Sequence, residues 1–393
     1  MKRTQSLLDI LWTSLKLGLT SFGGPVAHLG YFKNEYVDKR KWLDDRTYAD
    51  IIALCQFLPG PASSQVGIAI GMLRGGITGG VVSWFGFTMP SVIVLVLFAF
   101  LYQSLTIQDA AWIVSLKIVA VAVVAHAVLG LGKKLTPDKP RIAIALAAAL
   151  VMLLFPSVQI QIAVIVVSGI IGWIFYSNKV ESKVTPFSIS ISKKLGIASL
   201  ALLGVLLVAL PVLARMTENV FVGIFDTFFR VGSLVFGGGH VVLPLLEQEV
   251  VPAGLLTSGE FLSGYGMAQA VPGPLFTFSG YLGTMMHGVA GAAVAVIAIF
   301  LPSFLLIIGT LPFLEALRKR TRFQGILTGV NAGVVGILLA AFYNPVFTSA
   351  IVDGVDFALA AILFSMLYFW KLPAWAVVIA GVVLGTGFAA VFG

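Results

Sequence analysis

The chain has 393 residues, of which 59% are hydrophobic and only 11% are charged, and its mean hydropathy is +1.01. A soluble domain carries about 25% charged residues, so this composition excludes an ordinary soluble protein and leaves lipid as the solvent. The formal charge of +8 indicates basic loops on the cytoplasmic side of a membrane rather than nucleic-acid binding.

Long apolar runs without strand-like alternation predict an all-α integral membrane protein, since helices and closed barrels are the only spanning structures. We predict about thirteen apolar segments, some of them broken or re-entrant at Gly-Gly-Pro and Pro-Gly-Pro. In chain order they are 7–31, 49–73, 77–103, 109–132, 141–156, 158–177, 195–213, 219–246, 261–285, 288–314, 325–343, 356–370 and 372–392. The single cysteine, Cys55, excludes an intrachain disulfide.

Three short motifs occur twice, at nearly constant spacing, which indicates an internal duplication with small insertions. The offset falls from 214 to 213 to 212 along the chain. The first copies are Phe22-Gly23-Gly24-Pro25, Gln56-Phe57-Leu58-Pro59-Gly60-Pro61 and Pro90-Ser91. The second copies are Phe236-Gly237-Gly238-Gly239, Gln269-Ala270-Val271-Pro272-Gly273-Pro274 and Pro302-Ser303.

The duplication predicts two homologous transporter repeats, 1–177 and 214–393, joined by a linker, 178–213, that contains one extra membrane segment. Because each repeat holds six segments and the extra one makes the number of crossings odd, the second repeat is expected to be upside down. Such an inverted repeat is common among secondary transporters.

Loop charges support a cytoplasmic N-terminus. If all thirteen segments span, sixteen basic residues lie inside and six outside, and five of those six fall in 33–46. If segments 7–31 and 49–73 are instead re-entrant hairpins, 33–46 also faces the cytoplasm and the bias becomes 21 to one. The sequence leaves this choice open.

The two Pro-Gly-Pro breaks are the first candidates for a substrate site. A break inside the membrane frees backbone amides that must line a polar cavity or be buried in protein, and a half-helix start favours anions. An alternative is that both breaks are packing kinks. The predicted substrate-binding residues at the breaks are Gly60, Ser63, Ser64, Gly273 and Thr277.

Three cations lie within apolar segments, where an unpaired charge is costly and suggests function. Lys16 and Arg230 each stand six residues before a Phe-Gly-Gly motif and are predicted to bind substrate. Asp226, one turn before Arg230, could pair with it, whereas no acidic residue lies near Lys16 in its own run. Lys117 is a candidate for proton transfer or gating. The alternative for all three is snorkelling to the interface.

Two histidines and two glutamines complete the candidates. His28 and His240 could shuttle protons or gate, or they could be structural. Gln56 and Gln269 open the Pro-Gly-Pro motifs and could donate to an oxyanion or bridge helices. We predict no metal site and no cofactor, and the absence of a phosphate-binding G-x-x-x-x-G-K-[ST] loop argues against direct ATP drive.

Residues 22–28 and 56–65 resemble the N-terminal half of the chromate ion transporter family, and residues 235–246 and 264–274 resemble its second half. The resemblance covers nearly the whole chain. It implies the bidomain, long-chain type, with antiparallel halves in a bacterial-type inner membrane. It also implies export of chromate driven by the proton motive force, with sulfate as the mimicked oxyanion.

The residues by themselves indicate a secondary transporter of an anion and not an enzyme. The alternatives are a passive anion channel or pore, a membrane-embedded enzyme acting on lipid phosphates, and a structural subunit. The expected partners are the oxyanion substrate, protons and the lipid bilayer, without nucleic acid. A homodimer is a further hypothesis.

Overall fold

This computed structural model describes residues 3–22, 24–104, 110–176, 191–235, 242–313 and 321–392, and its regular structure within these ranges is entirely helical. Three parts of the sequence predictions lie outside the described residues. They are His240 with its Phe-Gly-Gly-Gly motif, residues 178–190 of the linker, and Gly23.

The described residues form fifteen α-helices of nine residues or more. They are α1 (Arg3–Thr20), α2 (Gly24–Phe32), α3 (Asp45–Phe57), α4 (Ala62–Ser104), α5 (Ala111–Leu135), α6 (Lys139–Leu154), α7 (Val158–Tyr176), α8 (Lys193–Thr217), α9 (Val220–Leu234), α10 (Val242–Val250), α11 (Ser258–Ala270), α12 (Phe278–Thr310), α13 (Thr321–Ala341), α14 (Gly354–Tyr368) and α15 (Ala374–Phe392). A π-helical turn, Lys33–Lys39, follows α2, and a 3₁₀ turn, Leu275–Thr277, precedes α12.

Polar caps fix where several of these helices begin, because the first amides of a helix lack partners within it. The Asp44 carboxylate accepts from the Thr47 amide at the start of α3. The Asp138 carboxylate accepts from the Arg141 amide at the start of α6. Hydrogen bonds from the side chain and the amide of Arg141 lower the pKa of Asp138 to about 2. Thr257 opens α11 with a reciprocal capping box.

Six stretches of the described residues are long and apolar enough to cross a membrane by length and composition. They are Ala62–Ser104, Ala111–Leu135, Gln159–Tyr176, Lys193–Thr217, Leu275–Phe313 and Thr328–Ala350. The helices α14 and α15 contribute shorter apolar runs. The chain is therefore an all-helical, multi-pass membrane protein, while thirteen crossings stay a prediction.

Helix α4 is folded back on itself, since Gly75 and Gly76 leave the helical region and Gly76 has φ +66°. In a straight helix Gly67 and Ser83 would be about 24 Å apart, yet the Ser83 hydroxyl donates to the Gly67 carbonyl at 2.9 Å. The chain thus reverses between predicted segments 49–73 and 77–103. Helix α12 has an equivalent irregularity at His287 and Gly288.

The described helices form two compact units, and each unit takes parts of both sequence halves. The first unit comprises Met1–Leu97, Glu181–Gly239 and Pro272–Lys319, and the second comprises Phe98–Val180, His240–Val271 and Arg320–Gly393. The predicted boundaries 1–177, 178–213 and 214–393 therefore do not coincide with compact units. They remain a prediction about the duplicated sequence.

Glycines let helices approach closely within each unit, as membrane helices require. In the first unit a side chain at Gly232 would collide with the backbone of Ile299, so α9 packs directly on α12. In the second unit Gly172 of α7 faces Gly329 of α13 with equally little space. This explains why many of the 42 glycines lie inside helices despite their low helix propensity.

Candidate functional site

The two Pro-Gly-Pro motifs interrupt the helical chain in the same way. At the first break α3 ends at Phe57 and α4 begins at Ala62; at the second α11 ends at Ala270 and helical turns resume at Leu275. The central glycines have nearly the same positive φ, +113° at Gly60 and +108° at Gly273. Only glycine adopts this backbone geometry readily, so the duplicated motif encodes a duplicated bend.

Each break is hydrogen-bonded to the helix end that precedes the other half's Phe-Gly-Gly motif. The Gly60 amide donates to the Val235 carbonyl at 2.6 Å, and the Gly273 amide donates to the Ser21 carbonyl at 2.9 Å. Ser21 and Val235 are equivalent positions, 214 residues apart. The two bonds are thus interchanged by swapping the halves, and both lie within the first compact unit.

Buried polar atoms without hydrogen-bond partners among the described residues accumulate around these breaks. Leaving such an atom unsatisfied costs about 1–3 kcal/mol, so a cluster needs an explanation. In the first unit, this cluster comprises Ser21 Oγ, His28 Nε2, Ser64 Oγ, Gln65 Oε1, Thr88 Oγ1 and Ser303 Oγ. A polar ligand would satisfy them.

The start of α4 adds positive potential to this cluster. Within the described part of the chain, no acceptor contacts the amides of Ala62, Ser63 or Ser64. Pro61 stands directly before the helix, and its carbonyl accepts from the Gln65 amide at 2.9 Å. Free amides together with the helix dipole favour an anion.

His28 lies beside these amides and is almost fully buried. Its Nδ1 atom is 3.1 Å from the Ser63 hydroxyl, and its ring packs edge-on against Phe87 with centroids 5.4 Å apart. The other nitrogen has no partner among the described residues. The ring is therefore held in place on one side and can exchange a proton or bond a ligand on the other.

Lys16 has a carboxylate partner that its own segment does not supply. Its Nζ lies 3.1 Å from Glu35 in the turn Lys33–Lys39, and its side chain is 49% exposed. Arg40 bridges Glu35 to Asp9 of α1. Burial raises the pKa of Glu35, but hydrogen bonds from Arg40 and Lys16 outweigh it and hold that pKa below its usual range. Lys16 thus belongs to a network that ties 33–40 to α1.

Arg230 forms the ion pair that its spacing suggested. Its guanidinium contacts Asp226 one turn back at 3.0 Å, and the carboxylate is the more buried partner, 8% exposed against 21%. The second oxygen, Asp226 Oδ1, has no hydrogen-bond partner among the described residues. The pairing is confirmed, whereas a role in binding substrate stays a prediction.

The remaining predicted residues are distributed more widely. Thr277 lies at the second break, but its hydroxyl donates to the Pro274 carbonyl at 2.7 Å. Gln56 is exposed. Gln269 and Lys117 belong to the second compact unit, where Gln269 is buried and Lys117 lies close to Gly259 at the start of α11. Gly60, Ser63, Ser64 and His28 therefore lie at the first break, and Gly273 and Thr277 lie at the second.

Sequence reasoning missed Ser21, Thr88 and Ser303 as members of the cluster. Ser303 carried a usable signal, because Pro302-Ser303 repeats Pro90-Ser91 at an offset of 212. Ser21 and Thr88 carried none, since isolated hydroxyls in apolar helices usually bond their own backbone.

Comparison with known proteins adds a family assignment. A family model described as chromate transporter matches residues 8–173 and 222–386. An uncharacterized transporter of Methanocaldococcus jannaschii is 28% identical over 86% of this chain and 84% of its own. Chromate transport proteins of Pseudomonas aeruginosa and Cupriavidus metallidurans are 27% and 26% identical, over 82% and 97% of this chain and 77% and 92% of theirs. No solved structure matches.

Proposed function

The chain belongs to the chromate transporter family, and on this premise we propose that it is a secondary transporter that exports chromate across the cell inner membrane, driven by the proton motive force. Sulfate-like anions are the natural competitors. The single observation that carries a specific anion site is the reciprocal pair of hydrogen bonds between Gly60 and Val235 and between Gly273 and Ser21. It joins two broken helices around one buried polar cluster.

The oxyanion is held where these breaks meet. Donors come from the amides at the start of α4 and from the hydroxyls of Ser63 and Ser64, both 2% exposed. Neutral donors recognise oxygen atoms but do not cancel two negative charges, and an uncompensated ion in a low-dielectric site costs several kcal/mol. The dianion therefore also needs nearby cations.

Lys16 and Arg230 supply this countercharge. Each lies five residues before the carbonyl that accepts the other half's glycine amide, which is about 7.5 Å along the helix axis. Lys16 is already paired with Glu35 and Arg230 with Asp226. The substrate anion therefore competes with these two carboxylates for the cations. Arg230 can grip two oxygens of a tetrahedral anion, whereas Lys16 acts as a point charge.

His28 is our proposed proton-carrying or gating group, because it touches Ser63 and keeps one nitrogen unpartnered among the described residues. His240, Lys117, Gln56 and Gln269 stay predictions from the sequence.

A flux experiment tests the proposal and separates it from a passive pore. Purified protein in liposomes, acidic inside and with the membrane potential clamped at zero by potassium and valinomycin, should accumulate chromate above the outside concentration through everted molecules. A protonophore should abolish the accumulation and sulfate should compete. Equal chromate concentrations on both sides at steady state would mean a channel.

The inverted repeat and a cytoplasmic N-terminus are part of this proposal, and the interchange of hydrogen bonds between the halves supports the repeat. We expect 33–46 to face the cytoplasm. A single cysteine introduced at the exposed Asp44, in a chain where the buried Cys55 is replaced by serine, should resist an impermeant maleimide in intact cells. It should react in everted vesicles. Strong labelling of intact cells would place this stretch outside.

A further inference from the structure

At each break a proline carbonyl lies outside the helices, and it accepts a hydrogen bond from a different donor in each half. At the first break the side-chain amide of Gln65 donates to the Pro59 carbonyl at 2.6 Å. At the second, Phe278 stands 213 residues after Gln65 and cannot donate. The hydroxyl of Ser91 donates to the Pro272 carbonyl instead. The substitution of Phe for Gln thus commits Ser91 to the second break.

Ser303, the counterpart of Ser91, is left without that task. It is fully buried, and its hydroxyl has no partner among the described residues. It also faces the first break directly, since Ser303 Oγ lies 2.9 Å from the position that a Cβ on Gly60 would occupy.

Hydroxyl groups near the two breaks differ in the same sense. At the second break Thr277 donates to the Pro274 carbonyl, and Ser279 donates to the Phe276 carbonyl. At the first break the Ser64 hydroxyl, like that of Ser303, has no partner within the described residues. Among these hydroxyls, therefore, only those at the first break are available to a ligand, and beside the second break Ser21 Oγ and Gln269 Nε2 are the buried donors that lack a partner among the described residues.

We propose that the breaks are not equivalent. The oxyanion binds at the first break, where Ser303 from the second half and Ser64 from the first donate to its oxygens, and the second break is a structural copy in which Ser91, Thr277 and Ser279 bond backbone carbonyls. Ser303 is thereby a specificity-determining residue for a tetrahedral oxyanion. This inference rests on the proposed transport function and refines the position of its site.

The repeat supplies a matched pair of variants, Ser303→Ala and Ser91→Ala, for chromate flux in proteoliposomes and for thermal unfolding in detergent. Ser303→Ala should raise KM for chromate about tenfold, the effect of losing one hydrogen bond to a charged ligand. Its unfolding temperature should not fall, because the lost hydroxyl has no partner among the described residues. Ser91→Ala should leave KM within about twofold but lower the unfolding temperature, because the Pro272 carbonyl loses its donor.

Two further variants test whether the hydroxyl groups themselves cause the change in KM. Ser303→Thr keeps the hydroxyl and should restore KM towards the wild-type value, and Ser64→Ala should raise KM as Ser303→Ala does. Unchanged KM in both alanine variants at Ser64 and Ser303, or an equal rise in Ser91→Ala, would overturn the inference while transport itself stands. Absence of chromate flux in the wild-type protein would instead refute the proposed function, and the inference with it.

Discussion

Replacing Arg230 with glutamine should reduce chromate transport about a hundredfold, because the binding site loses a positive charge and two directional donors to the substrate. Lys16→Gln should have a similar effect, since one charge of the dianion is then left uncompensated. Arg230→Lys keeps the charge but not the paired donors, so its transport rate should lie between the rates of these variants and that of the wild type. The measurement is chromate uptake by everted vesicles, normalised to protein in the membrane.

The ion pair with Asp226 complicates the first of these variants, and a double variant resolves it. Removing Arg230 strands a largely buried carboxylate, which can cost about 3–5 kcal/mol of folding stability. Asp226→Asn combined with Arg230→Gln removes both charges and should restore the unfolding temperature without restoring transport. Recovery of transport in the double variant would show that Arg230 serves only to pair with Asp226.

Replacing Gly60 with alanine should prevent the first break from forming. At φ +113° any other residue is strained, and the new Cβ would lie 2.7 Å from Gln65 Nε2 and 2.9 Å from Ser303 Oγ. Strain of this kind costs about 1–3 kcal/mol before the contacts are counted. We expect a lower unfolding temperature and loss of transport, and the same for Gly273→Ala, whose Cβ would collide with the Ser91 hydroxyl.

Gly130→Ala is the matched control for these variants. Gly130 lies inside α5, and no atom of the described residues approaches within 4 Å of the position its Cβ would occupy. Alanine is preferred over glycine within a helix by about 0.5–1 kcal/mol, so this variant should be as stable as the wild type or more stable and should transport normally. If Gly60→Ala behaved like Gly130→Ala, the bend at the first break would not need its left-handed residue.

Local features of the sequence were enough to predict a large part of this protein. Composition identified a membrane protein, because charged residues are too few to cover a soluble surface. The spacing of Pro-Gly-Pro located both helix breaks, since proline and glycine act on the backbone at their own positions. The one-turn spacing of Asp226 and Arg230 likewise predicted an ion pair that depends only on helix geometry.

Contacts between distant parts of the chain could be decided only by the tertiary structure. The partner of Lys16 is Glu35, 19 residues away in the polar turn after α2, and no periodicity specifies which carboxylate folds back onto a lysine. The compact units combine helices from both sequence halves, and the duplicated motifs do not specify that arrangement. Helices pack on whichever neighbour offers a complementary face, and sequence order does not constrain that choice.

The sequence by itself therefore determined the membrane environment, the duplication, the positions of the breaks and, through its motifs, the family. Tertiary structure alone decided that each break bonds the other half's helix end and that Ser21, Thr88 and Ser303 join its buried cluster. The physical reason is the distance along the chain over which each interaction acts, because backbone bends and helix spacing are fixed by residues that are neighbours in sequence. A hydrogen bond such as that from Gly273 to Ser21 exists only once packing has brought two distant segments together.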